Sequence, residues 1–107
     1  MYNPDKWVLI RVDNTYFKVL GSWSGSYLYG SSWRLNSGID KIIIEGDYFI
    51  FQGHSGSHYK CHKKSYGLNI AGADAWAMIK ERYKDRVELL EEKDAISSIR
   101  SYYDDRH

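Results

Sequence analysis

The sequence predicts an α+β fold, with a twisted antiparallel β-sheet of about five to seven short strands followed by one or two helices packed on it. Three observations favour this class. All 9 glycines lie between Gly21 and Gly72, 13 of the 17 aromatic residues lie within residues 1–72, and beyond Gly72 the apolar spacing changes from alternation to steps of three and four. Because 107 residues suit one domain, we expect residues 1–107 to form a single domain with a β-rich half, 1–72, and a helical tail, 73–107.

Turn residues separate short segments of β-branched and aromatic residues in the β-rich half. The predicted strands are 7–12, 16–20, 27–29, 33–35, Ile39–Glu45, 48–52 and 57–62. Alternation in the first strand places Trp7 and Leu9 on one face and the residues between them on the other. Residues 13–15 predict a turn, because Asp and Asn bond to nearby backbone groups and tolerate left-handed conformations. Glycine and serine predict loops over 21–26 and 53–56.

The helical tail is predicted from apolar residues that recur every three or four positions. The stripe on its first helix consists of Trp76, Ile79, Tyr83, Val87 and Leu90. This spacing favours a helix that continues through residues 85–90, and a short edge strand there is the alternative. Asp94 is suited to cap a second helix, whose apolar face carries Ile96, Ile99 and Tyr103. Packing on the sheet is the simplest use of the stripe, and formation of a homo-oligomer is the other.

The β-rich half contains two sets of residues that match in order. Residues 16–17 and 48–49 are Tyr-Phe in both copies, and Gly21 and Gly53 follow at the same offset of 32 residues. A Ser-Gly-Ser segment comes after each glycine. The matches predict a duplicated hairpin unit, with the two units side by side in the sheet. Two hairpins that merely obey the same turn rules are the alternative.

Composition and charge exclude two classes of protein. With 43% hydrophobic and 27% charged residues and a mean hydropathy of −0.57, the chain is too apolar for intrinsic disorder and too polar for a membrane protein. The net charge of +1 divides into +3 for residues 1–72 and −2 for the tail. Cys61 alone cannot form an intramolecular disulfide, and the first residues lack a signal-peptide pattern, so we expect a cytoplasmic protein without membrane contact.

The two Ser-Gly-Ser segments and their aromatic neighbours form the candidate ligand site. Glycine permits conformations in which successive N–H groups converge on an anion, serine adds donors, and aromatic planes stack on bases or sugars. The candidate residues are Trp23, Ser24, Gly25, Ser26, Tyr27, Trp33, Arg34, His54, Ser55, Gly56 and Ser57. They predict a small anionic or nucleotide-like ligand. The alternative is that glycine and serine are present only because hairpin turns require them.

A basic stripe is predicted on the strand at 57–62. Alternation puts His58, Lys60 and His62 on one face, with Lys63 and Lys64 just beyond. Such a stripe is suited to phosphates or to an acidic partner surface. A solvated sheet face without a ligand is the alternative.

Metal binding and catalysis are not predicted. His58 and His62 would lie roughly 13 Å apart on a strand, whereas metal ligands lie about 2.0–2.3 Å from one ion. Ser, His and Asp are present without a nucleophile elbow or a diagnostic pair of carboxylates. We therefore assign no catalytic residue, no metal ligand and no cofactor.

Five strings in the β-rich half are distinctive. They are GSWSGSYL at 21–28, SWRLNSGI at 32–39, GHSGS at 53–57, YKCHK at 59–63 and SYG at 65–67. Over roughly residues 7–70 they resemble a family of small uncharacterised proteins of tailed bacteriophages. The resemblance implies a phage-encoded protein in the bacterial cytoplasm that binds and blocks a host component, such as a defence protein or its nucleotide signal. It transfers no catalytic residues.

We therefore expect a non-enzymatic binding protein that sequesters or inhibits a host component and holds a small anionic or nucleotide-like ligand. The first alternative is a protein–protein inhibitor of a host protein that uses no small ligand. The second is a nucleic-acid-binding module that acts through the basic stripe.

Overall fold

Residues 1–26 and 30–106 are described by the structure, a computed structural model, and side chains are described for 1–24 and 32–103. The predicted strand at 27–29 lies outside them. The strands are β1 (Lys6–Val12), β2 (Tyr16–Ser26), β3 (Gly30–Leu35), β4 (Ile39–Glu45), β5 (Tyr48–Gly53), β6 (His58–His62) and β7 (Val87–Leu89). The helices are α1 (Ile70–Tyr83) and α2 (Glu92–Arg106), and 3₁₀ turns occur at Lys63–Ser65 and Lys84–Arg86.

The strands of the described residues form two antiparallel sheets. The first sheet has the order β3-β2-β1-β7, and the second sheet has the order β4-β5-β6. The predicted α+β class, with antiparallel strands followed by helices in the tail, is therefore confirmed. Each predicted hairpin unit corresponds to one three-stranded meander, β1-β2-β3 or β4-β5-β6. The two meanders face each other across a core instead of lying side by side in one sheet.

The core between the two sheets is built around a buried tryptophan. Trp7 of β1 is 0% exposed, and its ring centroid lies 5.4 Å from that of Phe51 and 4.9 Å from that of Tyr66. Trp7 Nε1 donates a hydrogen bond to the His62 carbonyl at 2.7 Å, which ties the first sheet to the end of β6. α2 packs against the same core through Ile99.

A second core lies on the other face of the first sheet, beneath α1. Val8 and Ile10 of β1 are buried there together with Ala75 and Ile79 of α1. Trp7 belongs to the core between the sheets, so neighbouring residues of β1 point into opposite cores. The predicted alternation of β1 is thus confirmed, and this strand is buried on both faces.

The first hairpin turn has the backbone that its sequence predicts. Asp13 and Asn14 have φ angles of 52° and 57°, and positive φ at both central residues is the requirement of a type I′ turn. Asp and Asn accept this conformation more readily than most residues. The turn predicted at 13–15 is confirmed.

The loop predicted over residues 21–26 is wrong, because β2 continues through this segment. Residues 21–23 pair with residues 32–34 of β3. Pro4 packs on Gly21, where a Cβ would lie 3.0 Å from the proline Cβ. Glycine is needed here for a close approach of two segments and not for a turn.

The helix favoured for residues 85–90 is also wrong. α1 ends at Tyr83, the next residue Lys84 has a φ of 54°, and Val87–Leu89 forms β7. β7 pairs antiparallel with β1 and covers the edge that β2 leaves free. The alternative, a short edge strand, is the correct assignment.

Both helices begin at other residues than the sequence pattern indicates. Asn69 accepts a hydrogen bond from the Gly72 N–H at 2.8 Å and caps α1, so Gly72 lies inside the helix. α2 begins at Glu92, which places Asp94 in the first turn and not at the N-cap. A carboxylate in the first turn still favours the helix through its dipole. Ile99, on the predicted apolar face, is 1% exposed.

Candidate functional site

The two Ser-Gly-Ser segments lie near opposite ends of β2. The first begins at Ser24, whose N–H donates to Asp5 Oδ2 at 2.8 Å. The second follows His54, whose N–H donates to the Gly38 carbonyl at 3.0 Å, and Gly38 lies beside Tyr16 at the start of β2. Tyr16 and Ser24 are separated by roughly 26 Å on an extended strand. The residues predicted to hold one ligand are therefore divided between two places.

The polar groups of the second segment bond to its own turn and to Ser37 in the β3–β4 connection. The Ser55 N–H donates to Ser37 Oγ at 3.1 Å, and that hydroxyl donates to Ser55 Oγ at 3.3 Å. The Gly56 N–H donates to the Gly53 carbonyl at 2.9 Å, and Gly56 has a φ of 89°, which favours glycine. These contacts support the alternative interpretation, in which serine and glycine stabilise a turn.

A histidine, an aspartate and two serines meet at this turn, but their geometry does not activate a hydroxyl. His54 Nδ1 lies 3.3 Å from Asp40 Oδ1, and both side chains are exposed. The opposite edge of the imidazole packs on Gly38, where a Cβ would lie 2.9 Å from His54 Nε2. The Ser37 and Ser55 hydroxyls bond to each other. His54 Nε2, the nitrogen that would act as a general base, therefore faces the backbone of Gly38 and not a serine hydroxyl.

Arg34 and Trp23 of the predicted ligand site do come together, around Tyr2. The Arg34 guanidinium carbon lies 4.4 Å from the centroid of the Tyr2 ring. The ring centroids of Trp23 and Tyr59 are 6.3 and 5.2 Å from that of Tyr2. Burial raises the pKa of Tyr59, and the neighbouring Arg34 partly opposes the rise. An exposed arginine held on aromatic rings is suited to contact a phosphate or stack on a base.

Sequence reasoning misses Tyr2, because it precedes the first strand in a segment without periodicity. The structure places it by a parallel bridge to β6. Its N–H donates to the His58 carbonyl, and its own carbonyl accepts from the Lys60 N–H, both at 2.8 Å. The Tyr2 cluster (Tyr2, Trp23, Arg34, Tyr59) therefore adjoins the strand that carries the basic stripe.

The other residues of the predicted ligand site do not join the Tyr2 cluster. Trp33, which neighbours Arg34 on β3, points to the opposite face of the strand and is 40% exposed. Ser57 accepts through its carbonyl from the Gly53 N–H in the β5–β6 turn. Tyr27 lies outside the residues that the structure describes. The surroundings of Gly25 and of the Ser26 side chain also lie outside the described part.

The basic stripe on β6 has the alternation that the sequence predicts. His58, Lys60 and His62 are partly exposed, whereas Tyr59 and Cys61 between them are 1% and 0% exposed. The three basic side chains therefore look outward from the second sheet, and the two between them point into the core.

The outward side chains of β4, β5 and β6 define the outer face, a mixed apolar and basic surface. Its residues are Lys41, Ile43, Glu45, Tyr48, Ile50, Gln52, His58, Lys60 and His62. Ile43, Ile50 and Lys60 are opposite one another in register and form its central row. Lys60 Nζ lies 4.6 Å from the Tyr48 ring centroid, and the His62 ring meets the Tyr48 ring edge to face at 4.9 Å.

The outer face is not the packing surface of either helix in the described residues. α1 packs on the first sheet against β2 and β3, and α2 packs beside β4 and β1. Lys63 and Lys64 lie in the 3₁₀ turn after β6. With the two lysines of the outer face they make four lysines, against the carboxylates of Glu45 and Asp47 in the β4–β5 hairpin. Lys63 and Lys64 lie at the Glu45 and Asp47 end of the second sheet, whereas Lys41 lies opposite Gln52 toward the other end, so the lysines are spread along the sheet.

Cysteine and histidine side chains do not converge on β6. In residues 1–26 and 30–106, no group of three or more His, Cys, Asp and Glu side chains could hold a metal ion. Cys61 points into the core, where burial raises the pKa of its thiol. A buried thiol of raised pKa is a packing group and a poor nucleophile.

No family model, no curated protein and no solved structure matches this chain. The resemblance to phage proteins therefore stays a prediction. In the part of the chain that the structure describes, no helix is both long and apolar enough to cross a membrane.

Proposed function

We propose that the chain is a non-enzymatic binding protein that holds single-stranded nucleic acid on its outer face. The observation that carries the proposal is the outward stripe of His58, Lys60 and His62 beside Tyr48, on a face against which the described residues of α1 and α2 do not pack. Sequestration of the bound strand, without turnover, is the mode of action that the proposal implies.

The outer face combines the two kinds of group that bind single strands. Cations hold the phosphates, and aromatic or apolar side chains contact the bases. Lys41 and Lys60 lie on β4 and β6, strands that are about 10 Å apart across a sheet. Lys41 shares a cross-strand row with Gln52 and His58, and Lys60 shares the next row with Ile50 and Ile43. The Tyr48 ring centroid lies 4.6 Å from Lys60 Nζ. A strand that crosses the sheet obliquely would meet Lys41 on β4, Lys60 on β6 and the Tyr48 ring beside Lys60.

A single strand suits this surface better than an acidic protein does. A carboxylate can pair with Lys41 or Lys60, but it has no flat group to stack on the ring of Tyr48. Bases bring apolar planes to the same place, while their phosphates stay at the lysines. A duplex keeps its bases stacked inside and offers mainly its backbone to a flat face.

The test is fluorescence anisotropy with a labelled oligothymidine of about 12 nucleotides, a length within the range that small single-strand-binding domains cover. Affinity should fall as salt rises. Lys60→Gln should weaken binding and reduce the slope of log K against log salt by about 0.7, the value for one lost contact to a single strand. Lys93→Gln, at an exposed lysine of α2, is the matched control and should leave affinity and slope unchanged.

Three results would contradict the proposal. The first is that oligothymidine does not bind at low salt, and the second is that Lys60→Gln and Lys93→Gln change its affinity equally. The third is that polyglutamate binds as tightly as oligothymidine. The last result would mean that the face recognises negative charge alone, as an acidic protein would supply it.

A second candidate function is favoured by the Tyr2 cluster. Arg34 stacked at 4.4 Å on Tyr2, with Trp23 nearby, is an arrangement for a mononucleotide or a cyclic nucleotide, the small ligand that the sequence predicts. Calorimetry with a nucleotide panel tests it. Heat that Arg34→Gln abolishes and Lys60→Gln leaves unchanged would support a separate small-ligand site. Absence of heat with every member of the panel would exclude it.

A further inference from the structure

A cavity of about 270 Å³ lies between the C-terminal turn of α1 and the first sheet. Its floor is apolar, because Ile10 of β1 and Ile79 of α1 are 1% and 6% exposed and Leu35 of β3 is partly buried. An apolar cavity of about 150 Å³ can hold benzene. There is therefore room for a ring or a branched chain with a short substituent.

Lys18 is the group that gives this cavity a chemical preference. It lies on β2 opposite Ile10 in the β1–β2 register, is partly buried, and lines the cavity. Among the described residues its ammonium has no hydrogen bond and no ion pair. An anion that enters the cavity would therefore find a cation without an ion pair beside an apolar floor.

The other cation on the lining is already compensated. Arg86 donates to the Asp13 carboxylate from Nε at 2.8 Å and from Nη2 at 3.0 Å, and it lies 5.7 Å from the Tyr83 ring centroid. These contacts hold Arg86 as part of the wall. Lys18 remains as the uncompensated charge, with Tyr16 and Tyr83 as further polar groups of the lining.

We propose that this cavity binds a small amphipathic monocarboxylate. Its apolar part would lie on Ile10, Leu35 and Ile79, and its carboxylate would pair with Lys18 Nζ. One ammonium matches one carboxylate charge, whereas a phosphate monoester would bring a second charge with no partner into a partly apolar space. The site is independent of the proposed function, because α1 and the second sheet lie on opposite faces of the first sheet.

Phenylacetate is the probe, and methyl NMR of the full chain is the readout. Saturable shifts are expected for the methyl groups of Ile10, Leu35 and Ile79, while Ile43 and Ile50 on the outer face serve as internal controls that do not shift. The neutral analogue phenylacetamide should bind about tenfold more weakly or worse, as the loss of a charged hydrogen bond requires.

Two variants complete the test. Lys18→Met keeps the apolar stem and should weaken phenylacetate binding about tenfold or more, whereas Lys6→Met, at an exposed strand lysine outside the lining, should not. Leu35→Phe should fill part of the cavity and block binding, with circular dichroism to confirm its fold. If Leu35→Phe does not fold, the comparison of Lys18→Met with Lys6→Met decides alone.

The proposal is overturned by any of three outcomes. The first is that phenylacetate causes no saturable shift up to roughly 10 mM, a concentration at which a ligand of millimolar Kd is close to saturation. The second is that wild type and Lys18→Met bind phenylacetate with equal affinity. The third is that phenyl phosphate binds more tightly than phenylacetate. None of these outcomes bears on binding of oligothymidine at the outer face.

Discussion

The Tyr66 hydroxyl links β1 to the segment that follows β7. Its removal should show how much this link contributes to the free energy of unfolding. The hydroxyl accepts a hydrogen bond from the Leu9 N–H at 3.1 Å and donates one to the Leu90 carbonyl at 2.7 Å. The Leu90 N–H bonds directly to the Leu9 carbonyl at 3.1 Å. The phenol is thus inserted where β1 and the segment after β7 would otherwise continue their ladder.

Tyr66→Phe keeps the ring, whose centroid lies 4.9 Å from that of Trp7, and removes only the hydroxyl. Two hydrogen bonds at about 1 kcal/mol each give a loss of about 2 kcal/mol in the free energy of unfolding. Urea unfolding at neutral pH measures it. Tyr16→Phe, at an exposed tyrosine, is the control and should stay within about 0.5 kcal/mol of wild type.

The same variant makes a prediction about alkaline pH. Burial raises the pKa of Tyr66 from 10.0 to about 12, because the phenolate cannot be solvated there. A raised pKa in the folded state stabilises the fold below the unfolded value, and this stability is lost as pH rises from about 10 to 12. The difference in the free energy of unfolding between wild type and Tyr66→Phe should therefore become smaller between pH of about 10 and 12. Tyr59, whose pKa burial also raises, titrates in both proteins and cancels in the difference.

Two results would refute this reasoning. If Tyr66→Phe unfolds at the same urea concentration as Tyr16→Phe, the inserted hydroxyl does not stabilise the junction. If the difference in the free energy of unfolding between wild type and Tyr66→Phe stays constant up to pH of about 11.5, the fold does not hold the phenol in its neutral form.

Two further predictions concern turns and ion pairs. Gly38 has a φ of 130° and a Cβ there would lie 2.7 Å from His54 Cδ2, whereas Gly46 has a φ of 59° and open space around it. Gly38→Ala should therefore lower the free energy of unfolding by about 3 kcal/mol, because a φ of 130° strongly favours glycine, and Gly46→Ala, in the left-handed region, by about 1 kcal/mol. Equal losses in urea unfolding would show that the backbone at Gly38 relaxes to accept a side chain. The Arg86 guanidinium, through its hydrogen bonds and its charge, lowers the pKa of Asp13. This pair stabilises the fold above the unfolded pKa of about 3.9 and loses the effect as pH falls through the lowered value. The melting temperature of Asp13→Asn should accordingly lie below that of wild type at pH 7 and approach it near pH of about 2, and a gap that persists there would mean that the ion pair is not its cause.

Local rules predict those features of the fold that depend on neighbours in sequence. Alternation assigns Tyr59 and Cys61 to the core and Lys60 to the surface, because successive strand residues must point to opposite faces. Asp13 and Asn14 predict their turn since their side chains tolerate positive φ. These assignments need no knowledge of the rest of the molecule.

Features that depend on distant parts of the chain are not visible in the same way. Val87 and Leu90 fit a helical stripe and an edge strand equally well, and the free edge of β1 decides for the strand. Gly21 has the composition of a loop, and Pro4 and β3 make it part of a strand. Tyr2 reaches the candidate ligand residues only because it pairs with β6. Each outcome follows from a partner that is remote in sequence.

The two meanders have the same topology but different surroundings, and this difference places the proposed nucleic-acid site on the second one. β1 of the first unit is apolar on both faces, so it is covered by the second sheet on one side and by α1 on the other. β6 of the second unit alternates between buried and basic residues, so only its inner face is packed. On the outer face Ile50 is only 6% exposed, so the groups that a ligand would meet are the partly exposed ring of Tyr48 and the basic side chains of β6. An aromatic ring beside lysine and histidine cations is what distinguishes a surface for bases and phosphates from one that meets only water.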